Sequence, residues 1–401
     1  MGESRDGESK KPRVLIYTEP LLAPSLTFVR AQAEALREFE PCYAGARAFR
    51  GQGLALPRER TIVINQAGTN LGRIKEVPLK VLGFAPIFFR RVQRFQPVLL
   101  HAHGGPNALV ALPLARWLRI PLIATFHGSD VTVDPKTSNC SHYTVRTYWK
   151  HASVMHTRVQ LCLAVSKFIR AKLIEQGYPS DRTVLHYVGV DTAFFRAQPE
   201  VQREAIVLFV GTLHEVKGCE FLIRALTRVQ AQIADAELVV IGDGPLRSVL
   251  QKMASEELRR FRFLGTQPPE TVRYWMNRAK VFSVPSVKAA SGATEAFGLV
   301  FAESQAMGLP VASFVSGGIP EAVVHGETGL LAPERDSETL AHNILLLLKD
   351  RDMWQRMREA GRRRVNDLFS LEKQTKCLEA LYRGLLAQGH MSRPPLLDGA
   401  C

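Results

Sequence analysis

The sequence predicts an α/β protein made of two doubly wound domains that face each other across a cleft. Three observations lead there. At 401 residues the chain is too long for a single hydrophobic core. Short apolar runs alternate with segments of helical period, and a break near residues 195–203 splits the alternation into two series. The composition, 46% hydrophobic and 22% charged, is that of an ordinary globular protein.

The first series follows a charged, polar stretch, residues 1–12, expected to be disordered. Residues 14–17 read as a buried strand and 27–36 as a helix. A strand over 98–101 opens into His101-Ala-His103-Gly-Gly, and a helix over 108–118 follows. The next strand, 120–125, ends at Phe126-His127-Gly-Ser-Asp130. Residues 161–165 are another strand, and Ser166 is placed to cap the helix behind it. The second series begins with a strand over 205–210, the Gly211 loop and a helix over 219–231. Strands follow at 237–241, 261–264 and 281–284. A helix over 298–307 is stopped by Gly308 and Pro310, and a strand over 310–314 leads into Gly317-Gly318. Repeated strand–loop–helix units build parallel sheets, which bind ligands at the carboxyl ends of their strands. The predicted domains are 13–198 and 199–370, followed by a helix over 371–386 and a flexible tail over 387–401.

Charge is distributed unevenly. Residues 1–200 hold 27 Lys and Arg against 15 Asp and Glu, whereas residues 201–401 hold 25 against 23. A basic first half suits an anionic partner such as a membrane surface or a phosphorylated substrate. No nucleic-acid motif accompanies it, so nucleic acid is not expected. No window approaches the ~18 apolar residues of a membrane helix, and the N-terminus lacks the apolar core of a secretory signal. The expected location is therefore the cytoplasm. The six cysteines are scattered without metal-ligand spacing and read as reduced structural thiols.

Residues with chemical potential concentrate between Ser291 and Gly329. Glu295 and Glu303 stand eight apart, which on one helix would set them about 80° apart. The better geometry leaves Glu295 in a loop and puts Glu303 inside the helix that opens at Gly298. Such a helix start offers free amides and a positive dipole end to a phosphate, beside carboxylates that accept sugar hydroxyls. Lys217 lies between a strand and a helix, next to Gly218, where a cation can meet an anion. His127 ends a strand and is followed by Gly-Ser-Asp130, a site pattern more than a packing pattern. His101 and His103 also end a strand, with core packing and acceptor contact both open. Asp350-Arg-Asp352 looks like a metal-binding pair but falls between helical segments and reads as a solvated charge cluster.

The string Glu295-x7-Glu303, with Gln305-Ala-Met-Gly-Leu-Pro-Val, Gly317-Gly-Ile-Pro-Glu321 and Gly326-Glu-Thr-Gly329, resembles the retaining GT-B glycosyltransferases of family 4. The likeness runs over about residues 13–385. Ser25-Leu-Thr27-Phe28, His101-Ala-His103 and Ala290-Ser-Gly-Ala-Thr-Glu295 are similar to the bacterial exopolysaccharide, colanic-acid-type subgroup.

The resemblance implies two Rossmann-like domains, the first binding the acceptor and the second a nucleoside diphosphate sugar, with no cofactor and no metal. It implies that Glu295 contacts the transferred sugar, Glu303 the ribose, and Lys217 the leaving diphosphate. Amides near Phe297, Gly298 and Leu299 would hold sugar or phosphate oxygens, with Gly211, Thr212, Gly242 and Gly265 along the same donor site. His127 would face the donor sugar. Ser25, Thr27, His101, His103 and Asp130 fall on the acceptor side. Thr212 replaces the family's usual Arg, a second cation for which His214 or Arg247 would have to substitute.

Residues 73–95 mix basic side chains (Arg73, Lys75, Lys80, Arg90, Arg91, Arg94) with apolar ones (Leu79, Val81, Leu82, Phe84, Ile87, Phe88, Phe89). They suit either an interfacial segment on anionic lipid or an amphipathic helix packed on the first sheet. The expected activity is retaining transfer of a hexose from a nucleoside diphosphate sugar to a glycan on a polyprenyl-diphosphate lipid, in cell-surface polysaccharide synthesis. Retention follows from the resemblance alone. A sugar-nucleotide epimerase, a phosphorylase of the same fold, or a non-catalytic scaffold are the alternatives.

Overall fold

The computed structural model describes residues 11–21, 26–49, 56–135, 143–198 and 200–388, and among these thirteen strands form two sheets. Of the stretch 1–12 expected to be disordered, residues 1–10 lie outside the described residues, as do residues 389–401 of the expected tail 387–401 and the site residue Ser25; residues 387 and 388 continue the last helix. The first sheet contains β1 (Arg13–Tyr17), β2 (Glu40–Arg47), β3 (Thr61–Asn65), β4 (Pro97–His103), β5 (Leu122–Phe126), β6 (Leu161–Ala164) and β7 (Thr183–Leu185). The second contains β8 (Glu204–Val210), β9 (Glu237–Ile241), β10 (Phe261–Phe263), β11 (Ala279–Phe282), β12 (Val311–Phe314) and β13 (Gly329–Ala332).

Every pairing within the two sheets is parallel, in the orders β3-β2-β1-β4-β5-β6-β7 and β10-β9-β8-β11-β12-β13. The order in which the chain adds strands reverses once in each sheet, between β1 and β4 and between β8 and β11. At such a switch point the loops on either side diverge and leave a crevice beyond the carboxyl ends of the strands. The central strands are apolar runs because helices cover both faces; Leu122–Phe126 and Glu237–Ile241 are buried throughout.

The two expected series of elements are both present, with boundaries moved by a few residues. One shift matters. β4 continues through His103, two residues past the expected end. Side chains two apart on a strand share a face, and the rings of His101 and His103 accordingly stack with centroids 4.3 Å apart. Ser166 caps its helix as expected, accepting from the Ile169 amide at 3.0 Å.

The last helix, Leu371–Gln388, does not stay with the second domain. The chain crosses back at residues 369–371, where the Val190 amide donates to the Phe369 carbonyl (2.7 Å) and the Leu371 amide to the Val190 carbonyl (2.8 Å). Leu378, Leu381 and Tyr382 then share a core with Val14, Ile16, Val29 and Leu99 of the first domain. Glu379 fastens the helix by accepting the amides of Arg37 and Glu38, each at 2.7 Å. Cys42, Cys162 and Cys219 are free and buried, as the sequence suggests.

Candidate active site

Lys217 and Glu295 meet at the switch point of the second sheet. Lys217 follows β8 and Glu295 lies in the loop after β11, and the lysine Nζ stands 2.6 Å from Glu295 Oε2. Ser286 Oγ donates to the same carboxylate oxygen at 3.1 Å. Sequence reading did not single out Ser286, which sits in a strand-end loop without a recognisable string. Glu295 lies in a loop and Glu303 in the helix Leu299–Ala306, as expected. Gly298 caps that helix with φ +78°, a left-handed conformation that favours glycine. Burial raises the Glu303 carboxyl to about 7.

The Glu295 loop is braced from below. A side chain at Gly317 or Gly318 would strike the carbonyls of Glu295 (2.1 Å) and Ala296 (1.9 Å), and the Gly318 amide donates to the Glu295 carbonyl at 2.9 Å. The Phe297 ring is wedged between Tyr187 (5.4 Å) and Phe369 (5.0 Å) where the chain crosses between domains. Its backbone is thereby fixed beside the helix start, which has no side-chain cap.

The remaining predicted donor-side glycines cluster by close backbone contact. A Cβ at Gly242 would lie 1.9 Å from the Gly211 carbonyl, and the Gly242 amide donates to the Gly265 carbonyl at 2.9 Å. Thr212 and His214 are exposed. Arg247, held by Asp243 at 2.7 Å, sits over Gly265, with Nη1 3.1 Å from where a Cβ there would stand. Of the two candidates to replace the missing arginine, Arg247 is the one lodged among these loops.

Across the cleft, three histidine rings form a continuous stack. His103 stacks on His101 and on His127 (5.3 Å), and its Nδ1 lies 3.1 Å from His127 Nε2. One of these nitrogens donates and the other accepts, so each ring's tautomer depends on its neighbour. The Phe28 ring meets His127 edge-on at 5.1 Å, which brings the start of the helix Thr27–Glu34, and so Thr27, to the same rim. His101 has both ring nitrogens engaged inside the protein, with Tyr382 OH and Thr125 Oγ1, each at 2.6 Å. It supports the stack and is not available as an acceptor contact, which corrects one of the two open readings. Burial pushes His127 down to about 4 and His101 to about 3, so both rings are neutral near pH 7.

Asp130 is also a support. Its carboxylate accepts the amides of Gly105 and Gly128, both at 2.9 Å, tying the His127 loop to the helix after β4. Gly128 touches the second domain, where an added Cβ would come 2.8 Å from Ala296 Cβ. The Asp134 amide donates to the Ser291 carbonyl at 3.0 Å in the same seam. His127 and Glu295 are thus brought to facing loops.

Sequence reading missed His186, although it too follows a strand, and missed Tyr382, which only the returning last helix brings to His101. His186 is buried, with Gln32 Nε2 at 3.1 Å from its Nε2. Asp350 caps the helix Arg351–Arg364 through the Met353 amide. Among the described residues no group of three or more His, Cys, Asp or Glu is arranged to hold a metal ion.

This architecture has counterparts of known structure. The fold superposes on Anabaena Alr3699/HepE in complex with UDP and glucose with a TM-score of 0.74 at 18% identity, covering 93% of this chain and 100% of that one. Sucrose-phosphate synthase from Thermosynechococcus elongatus gives 0.74 at 22% identity, covering 94% and 100%. Among curated sequences, N-acetyl-alpha-D-glucosaminyl L-malate synthase of Bacillus anthracis is 26% identical over 81% of this chain and 84% of its own. The putative colanic acid biosynthesis glycosyltransferase WcaL of Salmonella typhimurium is 28% identical over 72% and 71%. Residues 48–194 match the family model Glycosyltransferase Family 4, and residues 190–364 match Glycosyl transferases group 1. The two matches adjoin where the chain passes from one sheet to the other, and the chain belongs to the GT-B glycosyltransferases of family 4.

Proposed function

We propose that the protein transfers a hexose from a nucleoside diphosphate sugar to a lipid-linked glycan during cell-surface polysaccharide synthesis, with retention at the anomeric carbon. The observation that carries this reading is the Lys217–Glu295 pair at the second switch point, 2.6 Å apart and beside the start of the helix Leu299–Ala306. An ammonium, a carboxylate and unpaired helix amides side by side match the three parts of a sugar diphosphate. The UDP-bound relative and the colanic acid relative support the donor class and the pathway class.

In the proposed reaction the bond between the anomeric carbon and the diphosphate oxygen breaks, and its electron pair leaves with the diphosphate. Lys217 and the helix amides stabilise that growing charge, an arrangement that needs no metal in this proposal. Arg247 supplies a second cation in place of an arginine at Thr212. The acceptor hydroxyl bonds to the anomeric carbon on the face just vacated, and its proton passes to the departing phosphate oxygen. Glu295 orients the sugar hydroxyls, Glu303 the ribose, and neutral His127 closes the sugar from the first domain.

The test is nucleoside diphosphate release from UDP-, GDP- and ADP-sugars with polyprenyl-linked glycan extracts. Release with one donor, reduced at least ~100-fold by Glu295→Ala and by Lys217→Ala, is the expected result. Donor binding without release on any acceptor would replace the transferase reading with a binding role. Isomerised or phosphorolysed sugar would move the protein to another activity of the same fold.

A further inference from the structure

The segment between β3 and β4 is not one amphipathic helix. It is a 3-10 turn, Leu71–Glu76, followed by two short helices, Val77–Lys80 and Pro86–Gln93. Glu76 pins it to the sheet. Its buried carboxylate accepts from Arg47 (2.7 and 2.8 Å), Asn65 (2.7 Å) and Lys80 (2.5 Å). Leu79, Phe88, Phe89 and Val92 face inward. Pinned this way, the segment turns its other apolar side chains to solvent: Leu71 is 85% exposed, Ile74 74%, Leu82 72% and Ile87 78%. Four large apolar side chains exposed within one short segment mark an interaction surface.

The charges around them are of one sign. Arg73, Lys75, Arg90, Arg91 and Arg94 are exposed and, among the described residues, none of them forms an ion pair, whereas Arg47 and Lys80 are spent on Glu76 and Glu19. Glu76, the one acid within residues 71–94, is buried. Beside this face lies a recess of about 490 Å³ whose lining includes Asn65, Gln66 and Thr69 with Lys75 and Arg91. It opens at the carboxyl end of β3, the same end of the sheet as His103, three strand spacings or roughly 14 Å away.

We infer that this face docks on an anionic lipid bilayer, with Leu71, Ile74, Leu82 and Ile87 entering the headgroup region and a headgroup phosphate seated in the recess between Lys75 and Arg91. Apolar side chains ringed by unpaired cations fit that occupant, because insertion and attraction to anionic headgroups act together. A protein partner would have to be apolar and strongly acidic at once. The purpose of the contact rests on the lipid-linked acceptor proposed above: docking here sets the acceptor-side rim against the membrane. The contact itself is measured without any sugar.

The experiment is co-sedimentation of the full chain with phosphatidylcholine vesicles, with and without phosphatidylglycerol, at low and high salt. The wild type is expected to sediment with anionic vesicles and to be released by salt. Leu71→Ser/Ile74→Ser/Ile87→Ser and, separately, Arg73→Glu/Lys75→Glu/Arg91→Glu are expected to weaken binding about tenfold or more. Arg259→Glu/Arg356→Glu/Arg363→Glu, the same charge change on the second domain, is expected to bind as wild type. All these positions are exposed, and matching thermal melts establish that each variant is folded. The inference is overturned if the wild type stays in solution at low salt, or if the second-domain variant loses as much binding. It is equally overturned if ultracentrifugation shows that the face pairs two copies which the triple serine variant separates. Vesicle binding without sugar transfer would sink the transferase reading and leave the docking face standing.

Discussion

The carboxylate of Glu321, in the second domain, accepts the amide of Lys167 at 2.7 Å at the start of a first-domain helix. The same carboxylate accepts the Phe168 amide at 2.8 Å and the Tyr187 hydroxyl at 3.2 Å. A helix start carries unpaired amides and a partial positive charge, so an anion is favoured there. Here the anion comes from the opposite domain. The contact acts as a latch that holds the facing loops of His127 and Glu295 in register.

Removing the latch has a measurable cost. Glu321→Ala is expected to lower stability by about 1 to 2 kcal/mol, the range for a lost helix cap. It is also expected to raise donor KM more than it lowers kcat, because the domains would meet less often in the right register. Glu321→Gln, which can still accept, should recover part of both. Denaturant melts and donor saturation curves decide it; unchanged KM in the alanine variant would reduce Glu321 to a local cap.

The buried histidines predict acid sensitivity. Burial holds His101 near 3 and His127 and His186 near 4, with His103 lower than its ordinary 6.5 as well. Between about pH 6.5 and pH 4 the unfolded chain takes up protons that the folded chain refuses, so stability rises with pH across that window. Glu303 acts in the opposite direction. Its carboxyl is raised from the ordinary 4.5 to about 7, so its contribution is whole below 4.5 and lost as pH rises through 7. Burial also raises the carboxyls of Glu19 and Asp130, which act with Glu303; the four histidines outweigh these three, and urea melts should show stability falling from pH 6.5 toward pH 4.5. His186→Gln should flatten the slope by about one proton.

Why some of this was readable in the sequence and some was not follows from range. Ser166, Glu303 and Gly298 depend on neighbours within a turn of helix, and local spacing placed each of them. Short apolar runs located most strands, but Glu40–Arg47 carries a proline, a glycine and charged ends, which hid it as β2. The roles of Glu321, Ser286, Tyr382 and His186 depend on partners 134, 9, 281 and 154 positions away. Even nine residues suffice when a loop intervenes, since no period links the two positions. The exposed half of the 71–94 segment escaped for a different reason: composition revealed apolar and basic residues together, but only the anchoring of Glu76 decides which of them face out.

Glu303 should make donor binding depend on pH near neutrality. As a carboxylate it accepts two hydroxyl hydrogen bonds at once; protonated, it spends one oxygen as a donor. With a carboxyl near 7, the accepting form grows as pH rises from 6 to 8. Donor KM is therefore expected to fall over that interval, by several-fold, and to be flat in Glu303→Gln. Isothermal titration with the nucleoside diphosphate alone separates this from acceptor effects. A pH dependence that survives in the glutamine variant would assign the titration to another group.

Lys217 and Glu295 are close enough that their contributions cannot be independent. Replacing Lys217 leaves the Glu295 carboxylate, 11% exposed, with Ser286 as its remaining side-chain partner among the described residues and an anion facing an anionic leaving group. Replacing Glu295 frees the ammonium but removes what holds it in place. Each alanine variant is expected to cost at least ~100-fold in kcat. If the two act as one unit, the double variant costs about as much as the worse single one, well short of the ~10,000-fold product. Single-turnover rates with saturating donor give this comparison directly. Multiplying effects would mean that cation and carboxylate serve separate steps, and the shared 2.6 Å contact would then be structural.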